Sequence, residues 1–420
     1  MKPKIITTMQ SYSGQQFVAD VVAGLIVAMV ALPLSIAIAT ASGAAPSKGI
    51  VTAIVGGFLI SLFGGSRVQI GGPTGAFIVV VSGVIAAHGY DGLVIATLLA
   101  GGILLLAGLL QAGNLIRYVP EAVVNGFTIG IAIIIAASQL QDFLGLRGVH
   151  VPAEFVGKMQ ALWAARDSLD APSVMIALLA MVLIVLFRRL APRLPGLLVA
   201  VAIASALALA LKLPVDTIHS RFGDLPRGLP MPVLPALSFA RVIELLPSAL
   251  IIAFLAGVES LLSAMVADKM IESSHRPNAE VLAQGFANIG SALFGGLPAT
   301  GAIARTATNV RAGGKTPVAG LIHALAILAV TMLFGGLAGY LAMPALAALL
   351  VLTAWNMSEP HKWRGYMTAP NEERLLLLLT LGLTVFANLT IAIGVGVGIG
   401  LALRLRKKGA LVGDWKVPDR

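Results

Sequence analysis

The stretch Leu293-Phe294-Gly295-Gly296-Leu297-Pro298-Ala299-Thr300-Gly301-Ala302-Ile303-Ala304-Arg305 decides the fold, because an earlier part of the chain echoes it. Ser61-Leu62-Phe63-Gly64-Gly65 matches Ala292-Leu293-Phe294-Gly295-Gly296 at a shift of 231 residues, and the same shift carries Pro46 onto Pro277. Thr74-Gly75-Ala76 then recurs as Thr300-Gly301-Ala302. Glycine is abundant, with 46 residues, so chance competes with a repeat. Three matches in one order favour the repeat.

Composition says where such a repeat lives. Of 420 residues, 58% are hydrophobic and only 11% charged, against about a quarter charged in an average soluble domain. A soluble chain could not cover that much apolar surface. Lipid removes the difficulty, so the chain is read as an integral membrane protein. A spanning helix needs about 20 apolar residues, fewer where it breaks inside the bilayer. Runs of that kind fall near residues 17–40, 48–64, 73–87, 91–112, 120–141, 171–190 and 195–212. A polar connection follows, then 245–270, 278–294, 301–312, 315–338, 340–355, 372–387 and 388–405. The expectation is an all-α membrane protein of fourteen segments. The first segment is too long for a signal-peptide core and is read as a retained helix.

Charge placement orients these segments. With both termini cytoplasmic, the inner loops and tails hold 20 Lys and Arg, among them Arg117, Arg193, Lys315 and the cluster Arg404, Arg406, Lys407 and Lys408. The outer loops hold eight, and Arg305 lies inside a segment. Basic residues resist translocation, which favours this topology. The net charge of +10 is spread over short loops without an aromatic-interleaved patch, so no nucleic-acid partner is expected. Cysteine is absent, which excludes disulfides and thiolate metal sites.

Seven segments separate the repeated motifs. An odd number turns the second half upside down, giving two inverted seven-segment repeats. The third and tenth segments are short. Arg67-Val68-Gln69-Ile70 alternates like a strand before Gly71-Gly72-Pro73-Thr74 opens a helix, and Leu297-Pro298-Ala299-Thr300-Gly301 leads into Ala302-Ile303-Ala304-Arg305. Proline suits the first helical turn and not the interior. Extended backbone at membrane depth is tolerated only inside protein or along a cavity. Each half-helix starts with unpaired N–H groups and a positive dipole end. Two such ends facing one cavity suit an anion. The competing reading is a pair of ordinary Gly/Pro turns at the membrane surface.

Two charges sit inside segments. Arg305, about one turn into segment ten, offers a planar fork for an oxyanion; the alternatives are a pairing with Glu259 or a snorkelled head. Glu259 stands alone mid-segment eight and must be protonated, paired or bound to a cation. Ser263, four residues on, could supply a second oxygen; a plain packing hydrogen bond is the alternative. Asp268, Lys269, Glu272 and Arg276 read as a solvated cytoplasmic helix end. Gln139, Gln141 and Asp142 read as interfacial, and Asn388 and Thr390 as a tight turn. No ATP-binding loop, HExxH or nucleophile–base pair is present, so no enzyme, no cofactor and no resident metal are expected.

These residues resemble the SulP family of anion transporters, the sulfate permease family whose animal relatives form solute carrier family 26. The likeness runs through Gly257-Val258-Glu259-Ser260-Leu261-Leu262-Ser263-Ala264-Met265-Val266-Ala267-Asp268, Gln284-Gly285 and Asn288. It continues through Phe294 to Thr306 and Gly313-Gly314-Lys315-Thr316-Pro317, and in the first half through Gly72-Pro73-Thr74-Gly75-Ala76. The resemblance implies a 7+7 inverted-repeat fold shared with nucleobase transporters. It implies a core domain from residues 1–112 and 245–338 that moves like an elevator against a gate domain from 113–244 and 339–408. Residues 409–420 are expected as a cytoplasmic tail, in place of the STAS domain usual in relatives.

The resemblance also implies the site. Substrate is held between half-helices three and ten, with Gln69, Pro73, Thr74, Gly75, Ala76, Gly301, Ala302, Ile303, Ala304 and Arg305 as candidate contacts. Arg305 occupies the position of the anion-binding arginine of animal relatives. Glu259, Ser263 and Thr300 are the candidate coupling-ion residues; Glu in place of Asp at 259 leaves proton or sodium open, with sodium as the metal candidate at Glu259 and Ser263. The stretch Ala31-Leu32-Pro33-Leu34-Ser35 lacks the tyrosine that follows the proline in many relatives. The expected activity is secondary transport of a small oxyanion (sulfate, bicarbonate or a C4-dicarboxylate such as fumarate) across a bacterial inner membrane, by a homodimer. A nucleobase symporter of the same fold and an uncoupled anion channel are the competing readings.

Overall fold

The structure, a computed structural model, describes residues 2–114, 120–147, 152, 154–191, 195–224, 226, 228–387, 391, 392, 394–396, 398 and 399. Arg117, Arg193, Asn388, Thr390, the cluster Arg404 to Lys408 and residues 409–420 lie outside these.

The chain opens with a short α1 (Lys4–Thr8) and a long α2 (Gly14–Ala41). Ser13 caps α2, its hydroxyl accepting the Gln16 N–H while Gln16 returns a bond to the Ser13 N–H, so two orphan donors are met at once. Then α3 (Pro46–Val51) runs through a π-helical turn at Thr52–Gly56 into α4 (Gly57–Phe63). A two-residue β1 (Gly71–Gly72) precedes α5 (Phe77–Leu109). Gly89 breaks α5, with φ 71° and ψ 179°, a conformation glycine adopts without the Cβ penalty. The two pieces correspond to the expected segments three and four.

Further along lie α6 (Glu121–Leu144), α7 (Phe155–Ala164), α8 (Ala171–Leu190), α9 (Gly196–Ala210) and α10 (Ile218–Phe222). The second half has α11 (Phe239–Ile271), α12 (Pro277–Leu293), β2 (Thr300–Gly301) and α13 (Ile303–Arg311). It continues with α14 (Val318–Ala338), α15 (Met343–Met357), α16 (Trp363–Thr368) and α17 (Asn371–Phe386).

Among the described residues, seven helical stretches are long and apolar enough to cross a membrane: 14–41, 46–63, 77–109, 121–144, 171–190, 239–271 and 318–338. Other expected segments appear as shorter helices, such as α13 at nine residues and α15 at 15. Leu106, Leu178, Val182, Leu333, Leu337 and Leu375 stand exposed. Apolar surface on that scale marks a face meant for lipid.

Packing sorts the helices into two sets. α5 lies on α11 and α12, and α2 on α14; elsewhere α15 packs on α6 and α8, and α17 on α6. α2 touches both α9 and α15, and so joins the sets.

Candidate functional site

The extended leads into α5 and α13 meet. β1 and β2 pair antiparallel, with Gly71 opposite Gly301 and Gly72 opposite Thr300. Non-helical backbone at this depth needs protein partners for its polar groups, and side chains from neighbouring helices supply them. Thr306 Oγ1 accepts the Ile70 N–H (3.1 Å) and Asn309 Nδ2 donates to the Val68 carbonyl (2.8 Å), so the first lead is clasped by α13. The second lead is clasped by Asn288, which donates to the Ala299 carbonyl (2.9 Å) and accepts its N–H (3.0 Å). Thr52, in the π turn, accepts the Leu297 N–H (2.6 Å). π turns recur at functional sites.

Neither α5 nor α13 has a side chain capping its N-terminus; in α5 the Phe77 and Ile78 N–H groups donate to the Thr74 and Gly75 carbonyls (3.2 and 3.0 Å). Pro73, Thr74, Gly75, Ala76, Gly301 and Ala302 are all buried around the ribbon. Ile303 and Ala304 are exposed. Arg305 is 1% exposed. Its Nη2 donates to Ser35 Oγ on α2 (3.1 Å) and to the Pro73 carbonyl (3.1 Å), reaching across to the lead of the opposite helix. Its Nε and Nη1 are buried without a partner. Among the described residues no carboxylate lies within 4 Å of it, so it neither pairs with Glu259 nor snorkels to the surface.

Glu259 is joined to the ribbon another way. Its Oε2 accepts the Thr74 hydroxyl (2.8 Å), which links α11 to the start of α5. Thr300 donates to the Ala256 carbonyl (2.9 Å) and Ser263 shares a bond with Thr306 (3.2 Å). Both expected coupling-ion hydroxyls therefore lie on the α11 side, fastening α11 to β2 and α13. Gln69 points the same way, its Nε2 donating to Ser260 Oγ (2.8 Å). Arg305 faces α2 and Glu259 faces α5, on two sides of one crossing.

Three participants escaped the sequence reading. Glu280, fully buried, bonds the turn before β1. Ser35 holds Arg305. His323 on α14 is fully buried with both ring nitrogens unpartnered, beside Gly57 and within electrostatic reach of Arg305. Only tertiary contact reveals them. The end of α11, expected as solvated, is partly tied down. Asp268 accepts the His275 N–H (2.8 Å), while the Arg276 N–H donates to the Gly65 carbonyl (3.0 Å); Lys269 and Glu272 are exposed.

Apolar helices in number, two half-helices crossing at a buried ribbon and a buried unpaired arginine define a multi-pass membrane protein of the transporter class. The chain matches the sulfate permease family over residues 17–378 and belongs to it. That family consists of transporters, not enzymes. The chain is 40% identical over 382 residues to YvdB of Bacillus subtilis (strain 168), whose name proposes sulfate transport, covering 90% of this chain and 72% of that one. It is 31% identical over 341 residues to the bicarbonate transporter BicA of Picosynechococcus sp., covering 79% of this chain and 60% of that one. The transmembrane domain of a cyanobacterium BicA superposes with a TM-score of 0.80 at 27% identity, covering 94% of this chain and 98% of that domain. Murine Slc26a9 in the inward-facing state gives 0.87 at 18% identity, covering 96% of this chain and 71% of that one, a likeness of fold alone.

Proposed function

We propose that the chain is a secondary active transporter of small oxyanions, with sulfate, bicarbonate and C4-dicarboxylates such as fumarate as the substrate class. The observation that carries this is Arg305. A buried cation without a counter-ion is costly, and its Nε and Nη1 are unspent at the crossing of two uncapped helix N-termini. An oxyanion meets the charge, the free donors and the dipoles together. The substrate contacts are Pro73 to Ala76 and Gly301 to Arg305, with Gln69 behind them.

Glu259, with Ser263 and Thr300 beside it, takes the coupling proton or sodium. The 7+7 inverted repeat supplies the two crossing helices. The set holding α2, α5 and α11 to α14 is the moving core, and the set holding α6, α8, α9, α15 and α17 is the gate, an elevator arrangement supported by their separate packing. Both termini lie in the cytoplasm of a bacterial inner membrane, and the working unit is a homodimer. Reconstituted protein in proteoliposomes accumulates radiolabelled sulfate or bicarbonate when a proton or sodium gradient is imposed. Uptake of neither, under either gradient, would remove the reading.

A further inference from the structure

Glu280 lies in the first turn of α12. Its Oε2 accepts the N–H groups of Gly65 (2.8 Å) and Ser66 (3.2 Å), in the turn between α4 and β1. Its Oε1 accepts the Ser260 hydroxyl (2.9 Å) and Gln284 Nε2 (2.9 Å). All four of these partners are donors, and that fixes the direction of the hydrogen bonds beyond Ser260. A serine hydroxyl has one proton to give, and Ser260 gives it to Glu280. Ser260 Oγ can then only accept from its two other neighbours, Gln284 Nε2 (2.7 Å) and Gln69 Nε2 (2.8 Å). Gln69 is held with its NH2 group on Ser260, donating to the hydroxyl and also to the Ser260 carbonyl (3.3 Å), and with its Oε1 buried without a partner. The same amide rests on Gly301, where a Cβ would collide with Gln69 Nε2.

We infer that Glu280 is a positioning residue of the transport site: through Ser260 it orients the Gln69 amide, which seats Gly301 and the start of α13 against β1. This rests on the transporter reading above. Glu280 is outside the candidate substrate contacts and reaches Gln69 through Ser260. Glu280→Gln exposes the dependence. A glutamine there keeps its oxygen on the Gly65 and Ser66 amides and turns its NH2 toward Ser260. Ser260 then accepts from the variant and its proton loses its fixed acceptor, so donation by Gln69 Nε2 is no longer the only arrangement its hydroxyl allows.

The test is a cycle of Glu280→Gln, Gln69→Ala and the double variant in proteoliposomes, reading KM and maximal rate for radiolabelled sulfate and bicarbonate, with melting temperatures in detergent. Glu280→Gln is expected to raise KM about tenfold with the maximal rate within about twofold; in the Gln69→Ala background the same change shrinks below about twofold, because the group it acts through is gone. Additive KM effects would overturn the inference, since a purely structural glutamate acts whether or not Gln69 is present. Where Glu280→Gln does not fold, Glu280→Asp takes its place in the same cycle with the same two outcomes. Wild-type protein that moves neither anion defeats the functional reading alone. The melting temperatures then decide the relay: non-additive shifts support it and additive shifts overturn it.

Discussion

The two broken segments share a backbone plan and differ in what they carry. The α5 half-helix is apolar, burying Phe77, Ile78, Val80, Val81 and Val84. The nine-residue α13 buries Arg305, Thr306 and Asn309. The first offers the Pro73 carbonyl to Arg305 and the Thr74 hydroxyl to Glu259. The second brings the charge and the side chains that clasp its partner's strand. Two similar leads thus build one crossing, and only one of them is followed by a buried charge. Positive charge lies on one arm and a carboxylate is tethered to the other, at the same ribbon.

That asymmetry can be broken from either side. Arg305→Ala removes the full positive charge at the crossing, and anion uptake is expected to fall about 100-fold or more, on the scale of losing one partner of a buried charge contact. Size-exclusion behaviour stays that of wild type. Uptake within a few fold of wild type would place the anion elsewhere. Glu259→Gln should instead spare anion binding and abolish accumulation driven by an imposed gradient, a drop of roughly tenfold or more. Unchanged gradient dependence would separate Glu259 from coupling.

The remaining changes sharpen the comparison. Gly301→Ala drives a methyl group into the Gln69 amide and should destabilise the protein by about 1–3 kcal/mol, the usual cost of overpacking, read as a lowered melting temperature. An unaltered melting temperature would mean the ribbon tolerates more room than its contacts indicate. Thr74→Val removes one hydrogen bond to Glu259 and should weaken gradient-driven uptake by roughly threefold to tenfold. An effect as large as that of Glu259→Gln would make the hydroxyl an ion ligand in its own right.

Much of this was legible in one dimension because the crossing depends on local backbone chemistry. Gly71, Gly72 and Pro73 advertise a broken helix, as do Pro298 and Gly301, and a lone Arg305 or Glu259 in an apolar run is conspicuous at any position. The gap between the expected segments 73–87 and 91–112 coincides with the break at Gly89. What stayed hidden depends on distant neighbours. Glu280 meets Gly65 and Ser66 only because α12 folds against the turn after α4. Ser35 is one of many serines until α2 lies beside α13, and His323 shows its unpartnered nitrogens only once α14 is packed. For Arg305, open between substrate, Glu259 and the surface on sequence grounds, the structure shows a buried side chain with no carboxylate within 4 Å among the described residues.

Equilibrium binding tests the centre of the account without requiring transport. Sulfate and bicarbonate are titrated against the melting temperature of wild-type protein and of Arg305→Ala in detergent, since a ligand that binds the folded state stabilises it with rising concentration. At least one anion should raise the wild-type melting temperature in a concentration-dependent way and leave Arg305→Ala unmoved. Equal shifts in both proteins would contradict the claim that this arginine, at the meeting of the two half-helices, holds the anion.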